Sequence, residues 1–269
     1  MKILSCRNYL RFSLKIRTTG NVIDKMSVLV FLGTVGVGKS TQIRLLESRL
    51  KSDGFKVRKT FLKTNHLLAY LLNIFLVELL VKDKEHSYPI RTLIENKPEL
   101  TKKILRLWLT LDLISLSILF FLKIFIPIKR GRIVIVEEYF PAAISDYMYL
   151  ARSIGYPIKD LSFAINYMQK LSYLGGSYLI IFLDTNTKDL LTHWMNRNIR
   201  AELYTNILIA PDYIGMQRSV LLNISKKLCS KLLYLRIDNK TIKEIQKIII
   251  EFLNRNWKYL LVKDDANKK

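Results

Sequence analysis

The chain has 269 residues, enough for one α/β domain, and half of them are hydrophobic, so it can bury a large core. Its net charge of +22 favours anionic partners such as phosphorylated substrates, nucleic acid or anionic lipid, unless the lysines simply lie on solvated helix faces. Two cysteines (Cys6 and Cys229) and three histidines without ligand spacing exclude a disulfide framework and a zinc motif.

Residues 1–25 are basic and precede Met26, which stands directly before the first strand of the predicted core. The segment lacks the unbroken apolar stretch of a secretory signal. It is predicted to be an N-terminal extension: an added arm, a targeting segment, or the result of a start upstream of the natural one. The predicted domain then covers residues 26–255, and a basic tail follows at 256–269.

The first predicted element of the core is a buried strand, SVLVFL at 27–32, followed by a glycine-rich loop and a helix. The loop and the helix start, GTVGVGKS at 33–40, fit the pattern G-x-x-x-x-G-K-[ST]. This pattern is typical of nucleotide-binding proteins, because the backbone N–H groups of such a loop point inward at phosphate oxygens. A chance glycine-rich turn is the alternative, which the flanking elements disfavour. The helix is expected to stop at Gly54.

The residue types in this loop each have a chemical use in holding a nucleotide. Lys39, expected to be a charge on a surface loop, can reach the β- and γ-phosphates, and the Ser40 hydroxyl is a ligand for Mg²⁺. ATP and Mg²⁺ are therefore the predicted cofactors, and the use of ATP predicts a cytoplasmic location. The predicted nucleotide-binding residues of this segment are Gly33, Thr34, Gly36, Val37, Gly38, Lys39, Ser40 and Thr41.

Strand-like sequences recur along the rest of the chain and are separated by helical patterns. They are FKVRKTFL (55–62), GRIVIVEE (131–138), SYLIIFLD (177–184) and KLLYLRID (231–238). Such alternation predicts an α/β fold with a mostly parallel sheet covered by helices on both faces.

Two segments, 67–81 and 107–128, are apolar enough to raise the question of a membrane. In the second, the charges of Asp112 and Lys123 leave only LISLSILFFL uncharged between them, which is shorter than the roughly 20 residues that a membrane span needs. The prediction is a soluble protein in which this helix is buried beside the sheet, with Lys123 reaching solvent along the helix. A helix lying in the membrane interface is the alternative, and the basic charge favours it.

Glu137 stands at the end of the third strand of the predicted core, counting SVLVFL as the first. Open α/β sheets bind their ligands at this edge. The carboxylate is therefore predicted to hold Mg²⁺, directly or through water, or to accept a proton from the phosphoryl acceptor. A solvated strand end is the alternative for Glu137 and Glu138.

Four segments, taken in order, carry a family resemblance. They lie at 31–57, 126–147, 180–202 and 235–253, and they begin with FLGTVGVGKSTQ. Together they resemble the thymidylate kinases, a family of P-loop nucleoside monophosphate kinases. The resemblance implies a P-loop NTPase fold with a five-stranded parallel sheet, helices on both faces and a helical lid. It also implies transfer of the γ-phosphoryl of ATP to a nucleoside monophosphate, dTMP being the best candidate.

The resemblance assigns further residues to the site. Lys39, Glu137, Arg197 and Arg200 would be the catalytic residues, with the two arginines in the lid clamping the transferring phosphoryl. Asp238 would begin the loop beside adenine. A plain basic helix face is the alternative for the arginines, and a turn residue is the alternative for Asp238.

The acceptor side departs from the family pattern. Glu137-Glu138-Tyr139 stands where the family has Asp-Arg-Tyr, and Asp112-Leu113 stands where it has Asp-Arg, so arginines that grip the acceptor's phosphate are absent. A deoxynucleoside kinase, or a nucleotide-binding protein that has lost acceptor chemistry, therefore stays open as an alternative.

Nucleotides are the expected partners, and no sequence-specific binding of nucleic acid is expected. A weak contact with an anionic membrane and a homodimer are also left open.

Overall fold

A six-stranded sheet forms the centre of the computed structural model, which describes residues 2–5, 28–81, 89–176, 178–195, 211–228 and 231–257. The strands are β1 (Lys2–Ser5), β2 (Val28–Leu32), β3 (Val57–Phe61), β4 (Ile133–Glu137), β5 (Tyr178–Asp184) and β6 (Lys231–Arg236). Their order across the sheet is β1-β6-β5-β2-β4-β3.

Every pairing among β2 to β6 is parallel, which confirms the predicted α/β fold with five parallel strands. β1 comes from the segment predicted as an N-terminal extension and pairs antiparallel with β6, at one edge of the sheet. The phosphate loop follows β2, which is the central strand of the five. Such a position, between neighbours on both sides, is where open parallel sheets bind ligands.

The helices follow the strands in alternation. They are α1 (Lys39–Ser52), α2 (Leu67–Leu80), α3 (Pro89–Asn96), α4 (Pro98–Phe120), α5 (Ile126–Lys129), α6 (Phe140–Ser153), α7 (Ser162–Leu174), α8 (Thr187–Met195), α9 (Pro211–Leu228) and α10 (Ile242–Asn256). A π-helical turn (Phe121–Phe125) joins α4 to α5, and a 3₁₀ turn (Ile158–Leu161) precedes α7.

The core has two layers, one on each face of the sheet. Val28, Val30 and Leu32 of β2 belong to the layer that α4, α6 and α7 cover. Leu29 and Phe31 belong to the layer that α1 and α10 cover. Because neighbouring residues of a strand point to opposite faces, a strand buried on both sides is apolar throughout, as β2 is.

Local sequence explains where the helices beside the site begin and end. α1 starts after Gly38, which has a left-handed backbone (φ 89°), and its end is followed by Gly54 (φ 80°) at the predicted stop. α10 starts with a capping box between Thr241 and Glu244. Trp257, just past the predicted domain boundary, is fully buried in the core.

The apolar segment 107–128 forms most of a continuous helix, Pro98–Lys129, which by length and composition is long and apolar enough to cross a membrane, as many buried core helices also are. Its sheet-facing side, including Leu109 and Leu116, is fully buried. Its opposite side exposes apolar residues, so the prediction of a buried helix is correct for one side and wrong for the other.

Near the end of this helix Lys123 makes a contact that the sequence did not predict. Its side chain is partly exposed. Its ammonium lies 4.3 Å from the ring centroid of Phe61 on β3, which is a cation–π contact. The π-helical turn that contains Lys123 precedes Pro127, which lacks an N–H and crowds the carbonyl four residues earlier. A wider turn accommodates that proline.

Candidate active site

The phosphate loop between β2 and α1 has the backbone that its glycines predict. Gly33, Gly36 and Gly38 all have positive φ, at 142°, 89° and 89°. A Cβ on Gly33 would lie 2.3 Å from the carbonyl oxygen of Leu183 in β5, whereas a Cβ on Gly38 would point into open space. The first glycine is therefore required by the close approach of β5, and the last one by the turn into α1.

Lys39 lies inside this loop. Its Nζ donates hydrogen bonds to the carbonyl oxygens of Gly33 (2.7 Å) and Thr34 (2.9 Å). Only 5% of the residue is exposed, so the expectation of a surface charge is wrong. The physical reason is that a buried ammonium needs acceptors, and the curled loop supplies two carbonyls. The charge is thus held within the cradle where phosphates would bind.

Ser40 and Glu137 meet although 97 positions separate them in sequence. The Ser40 hydroxyl donates to Glu137 Oε1 over 2.5 Å. Their contact follows from the sheet order, since β4 lies beside β2 and Glu137 is level with Phe31. The two residues predicted as metal ligands are therefore neighbours at the carboxyl edge of the sheet.

The donor atoms at this point fit Mg²⁺ and a nucleotide. Mg²⁺ prefers oxygen ligands and usually takes one or two from the protein, completing its shell with water and phosphate oxygens. A hydroxyl and a carboxylate meet that requirement. The described residues contain no cluster of three or more His, Cys, Asp or Glu side chains that would hold a metal without a substrate. The Thr34 hydroxyl, buried in the loop, makes no hydrogen bond within the described part of the chain.

Two lysines that sequence reasoning missed lie beside the strand-end glutamates. Lys59 Nζ is 3.8 Å from Glu137 Oε2, and Lys63 Nζ is 3.0 Å from Glu138 Oε2. Glu138 has a left-handed backbone (φ 60°), which turns the chain from β4 into α6. The sequence did carry a signal, because the polar run KTNH at 63–66 comes directly after a predicted strand. These lysines place positive charge beside the carboxyl end of β4.

Asp112 on α4 organises the loop that carries these basic groups. Its Oδ1 accepts the backbone N–H groups of Asn65 (2.9 Å) and His66 (3.3 Å), and its Oδ2 accepts the Tyr147 hydroxyl (2.6 Å). Burial raises the pKa of Asp112 to about 6, although these three hydrogen bonds act to lower it. Leu113, at the position of the missing arginine, is buried in the core. Asp112 therefore positions the loop, and no arginine follows it.

His66 lies at the end of this loop, directly before α2. Burial lowers its pKa, and the charges of Lys123 and Lys63 lower it further. The ring packs at a tilt against Phe61, with centroids 5.9 Å apart. The neutral imidazole is thus favoured here. Tyr139, by contrast, is fully buried and packs on Phe140 in the core.

Asp238 ties two loops together at the same edge of the sheet. Its Oδ1 accepts the Thr185 hydroxyl and the Asn186 N–H, both at 2.9 Å, and its Oδ2 accepts Arg236 Nε at 2.7 Å. The backbone hydrogen bond from Asn186 is the main cause that lowers the pKa of Asp238. The structure therefore shows a loop-fixing role for Asp238, and its predicted position beside adenine stays a prediction.

A second buried carboxylate, Asp184 at the end of β5, was also missed from sequence. It accepts Arg218 Nε of α9 (2.8 Å) and the Tyr234 hydroxyl of β6 (2.6 Å). Burial, with the Asp184 hydrogen bond next, raises the pKa of Tyr234 to about 12. The Arg218 contact anchors α9 to the end of β5, and the Tyr234 contact ties β6 to the same carboxylate. Arg197 and Arg200, the predicted lid arginines, lie outside the described residues, and their roles stay predictions.

Comparison with known proteins gives structural matches. The thymidylate kinase from Candida albicans aligns with a TM-score of 0.48 and 14% identity, over 86% of this chain and 92% of that one. The thymidylate kinase from Ehrlichia chaffeensis aligns with a TM-score of 0.49 and 16% identity, over 86% of this chain and 99% of that one. No family profile and no curated protein matches the chain. The fold assignment above rests on the strand order and the phosphate loop themselves.

Proposed function

We propose that the protein is a nucleotide kinase that transfers the γ-phosphoryl group of ATP to a nucleoside monophosphate, with dTMP the best candidate acceptor. The contact between Ser40 and Glu137, 2.5 Å across two neighbouring strands, carries this proposal. It joins a phosphate loop to an acidic strand end, which is the arrangement that a P-loop enzyme needs for metal-assisted phosphoryl transfer. The choice of dTMP rests on the sequence resemblance.

Most of the residues proposed for the donor side lie in the described part of the chain. The loop N–H groups and the start of α1 would bind the β-phosphate, and Lys39 would exchange its loop carbonyls for phosphate oxygens. Ser40 and Glu137 would hold Mg²⁺, which supplies neutralisation of the phosphate charges. Asp238 and the loop that it fixes would lie on the nucleotide's base side. Arg197 and Arg200 would clamp the transferring phosphoryl from the lid.

In the described part of the chain, the positive charge of the proposed acceptor side comes from lysines. Lys59 and Lys63 face the glutamates at the end of β4, where an acceptor phosphate would replace carboxylate oxygens as their partner. In the reaction an acceptor phosphate oxygen forms a bond to the γ-phosphorus, and the bond from γ-phosphorus to the bridging oxygen breaks, releasing ADP. A monophosphate is largely ionised at neutral pH, since its second pKa is about 6, so no base has to remove a proton. Glu137 then serves to position the metal.

A deoxynucleoside kinase is the second candidate. Glu137 favours it, because a sugar hydroxyl keeps its proton until a base takes it, and a carboxylate at a strand end can be that base. The third candidate is a nucleotide-binding protein without transfer chemistry. It is supported only by the absence of the arginines that the family pattern has on the acceptor side.

A coupled ADP-release assay separates these functions. Purified protein with ATP and Mg²⁺ is tested against each deoxynucleoside and each deoxynucleoside monophosphate. We expect ADP release that depends on a monophosphate and is lost with EDTA. Release that depends on a nucleoside instead assigns the second function. ATP binding without acceptor-dependent release by any compound contradicts the kinase proposal.

A further inference from the structure

The loop from Lys63 to Leu67, which leads from β3 into α2, has a strained backbone. Asn65 (φ 62°) and Leu67 (φ 45°) both have left-handed conformations. Asparagine adopts this conformation at moderate cost, whereas leucine rarely does. Such strain persists only where the surrounding structure holds the backbone in place, and it is concentrated at sites that bind ligands or catalyse reactions.

Side chains of α4 and α6 accept four hydrogen bonds from this loop and from the start of α2. Two of these acceptors, Asp112 and Ser115, lie fully buried on α4, and the third is Asp146 on α6. The donors are the N–H groups of Asn65, His66 and Leu68 and the Thr64 hydroxyl, at 2.9, 3.3, 3.2 and 3.1 Å. Buried polar groups that are paired in this way fix one conformation of the chain that they contact.

Asn73 of α2 makes a further contact with the loop. Its Nδ2 donates to Asn65 Oδ1 over 2.6 Å. Asn73 is fully buried, and its own carbonyl oxygen makes no hydrogen bond within the described part of the chain. A buried amide with one unpaired polar atom destabilises the folded state, because that atom has lost its water. The stability of α2 therefore does not explain this residue, whereas its contact with Asn65 does.

The loop carries Lys63 at the carboxyl edge of the sheet. Lys63 Nζ lies 3.0 Å from Glu138 Oε2, directly after the glutamate proposed to hold the metal. Because Lys63 lies two residues from Asn65, its position depends on the backbone conformation there. A charge that is held in place before a phosphate arrives binds it more tightly than a mobile charge does, since less freedom is lost on binding.

We propose that Asn73 is a positioning residue for the phosphoryl acceptor. By holding Asn65 in its left-handed conformation, it fixes the loop that carries Lys63 and so sets the affinity for the acceptor's phosphate. The inference rests on the proposed kinase function for the identity of this ligand. Asn73 acts through Asn65, and Asn65 acts through the backbone that joins it to Lys63.

Asn73→Leu tests the proposal. Leucine is of similar size, favours a helix more than asparagine does and brings no unpaired polar atom, so the variant should melt at or above the wild-type temperature. The donor to Asn65 is lost. The KM for the monophosphate should therefore rise about tenfold, while kcat and the KM for ATP change little, because the loop holds the acceptor's phosphate equally in the ground state and the transition state.

Two further variants act at the loop itself. Asn65→Ala removes the acceptor of the Asn73 hydrogen bond without changing the core, and alanine disfavours a left-handed backbone. Its KM for the monophosphate should rise as in Asn73→Leu, which keeps the test available if that variant folds poorly. Asn73→Leu/Asn65→Gly should recover most of the lost affinity, since glycine adopts a positive φ without help from a side chain.

Asn254→Leu is the matched control. It makes the same substitution at an exposed position of α10, on the other face of the sheet, and should show wild-type kinetics. Equal KM values for the monophosphate in wild type, Asn73→Leu and Asn65→Ala overturn the inference. A double variant as impaired as Asn73→Leu, or an equal rise in the KM for both substrates, also overturns it, because either result would mean a structural role only.

Hydrogen exchange separates this inference from the proposed function, because it needs no acceptor. Without nucleotide, the N–H groups of Asn65, His66 and Leu68 should exchange about tenfold faster in Asn73→Leu than in wild type. A wild type without monophosphate-dependent ADP release contradicts the proposed function, and the exchange rates still decide whether Asn73 holds the loop. Equal exchange rates in the two proteins overturn the inference.

Discussion

Removing the charge of Asp112 should change how the stability of the protein depends on pH. The side chain is fully buried, and its pKa is raised from 3.8 to about 6 in the folded protein. A raised carboxyl pKa means that the folded state binds the proton more tightly than the unfolded state does. The free energy of unfolding from this group is therefore greatest below about pH 4 and falls as the pH rises to about 6.

The magnitude follows from the shift. A difference of about 2 pKa units corresponds to roughly 3 kcal/mol, at about 1.36 kcal/mol per unit. Asp112→Asn stays neutral throughout, and its amide can still accept the two backbone N–H groups and donate to the Tyr147 oxygen. The variant should therefore gain stability relative to wild type as the pH rises, by an amount on the order of 3 kcal/mol between pH 4 and pH 7.

Urea unfolding of both proteins at a series of pH values measures this difference. Asp160→Asn is the control, since it removes a carboxylate that is exposed to solvent, and its difference from wild type should change little with pH. A difference for Asp112→Asn that stays constant from pH 4 to pH 7 would refute the reasoning, because it would mean that burial does not shift the pKa.

Three further predictions concern the proposed active site. Lys39→Ala should lower ATP turnover, measured by ADP release, by about 10²–10³-fold. It should also destabilise the fold by about 1–3 kcal/mol, because two loop carbonyls lose their donor. Unchanged turnover would remove the phosphate-loop assignment. Glu137→Gln keeps a hydrogen-bond acceptor for Ser40 but loses the negative charge. The kcat should therefore fall about 10²-fold, while the affinity for ATP, measured by nucleotide titration, should change little. An unchanged kcat would mean that Glu137 is only a solvated strand end. Lys63→Ala should raise KM for the monophosphate by about tenfold and leave KM for ATP unchanged, whereas equal shifts in both would argue against a place at the acceptor.

The phosphate loop and the parallel strands could be predicted because their signals are local. Gly33 and Gly38 mark the loop at fixed spacing, and β2, β4 and β5 are short apolar runs with clear ends. Glu137 could be placed at the carboxyl edge for the same reason. Its contact with Ser40 follows once the strand order is known, as the fold of P-loop proteins implies.

The basic groups of the proposed acceptor side could not be predicted from the sequence in the same way. Lys59 reaches Glu137 only because β3 lies next to β4, with Phe61 level with Glu137, and that pairing joins residues about 75 positions apart. The exposure of α2 was equally hidden. A helix with leucines on every side gives a pattern that is typical of a buried element, and only the packing shows which side is exposed among the described residues.

The most direct test of the kinase proposal follows the γ-phosphoryl group itself. The protein is incubated with Mg²⁺ and ATP labelled in its γ-phosphate, together with dTMP or another deoxynucleoside monophosphate, and the products are separated by chromatography. We expect the label in a nucleoside diphosphate, with none formed by Lys39→Ala. Label that remains in ATP, or appears only as inorganic phosphate with every acceptor, would contradict the proposal.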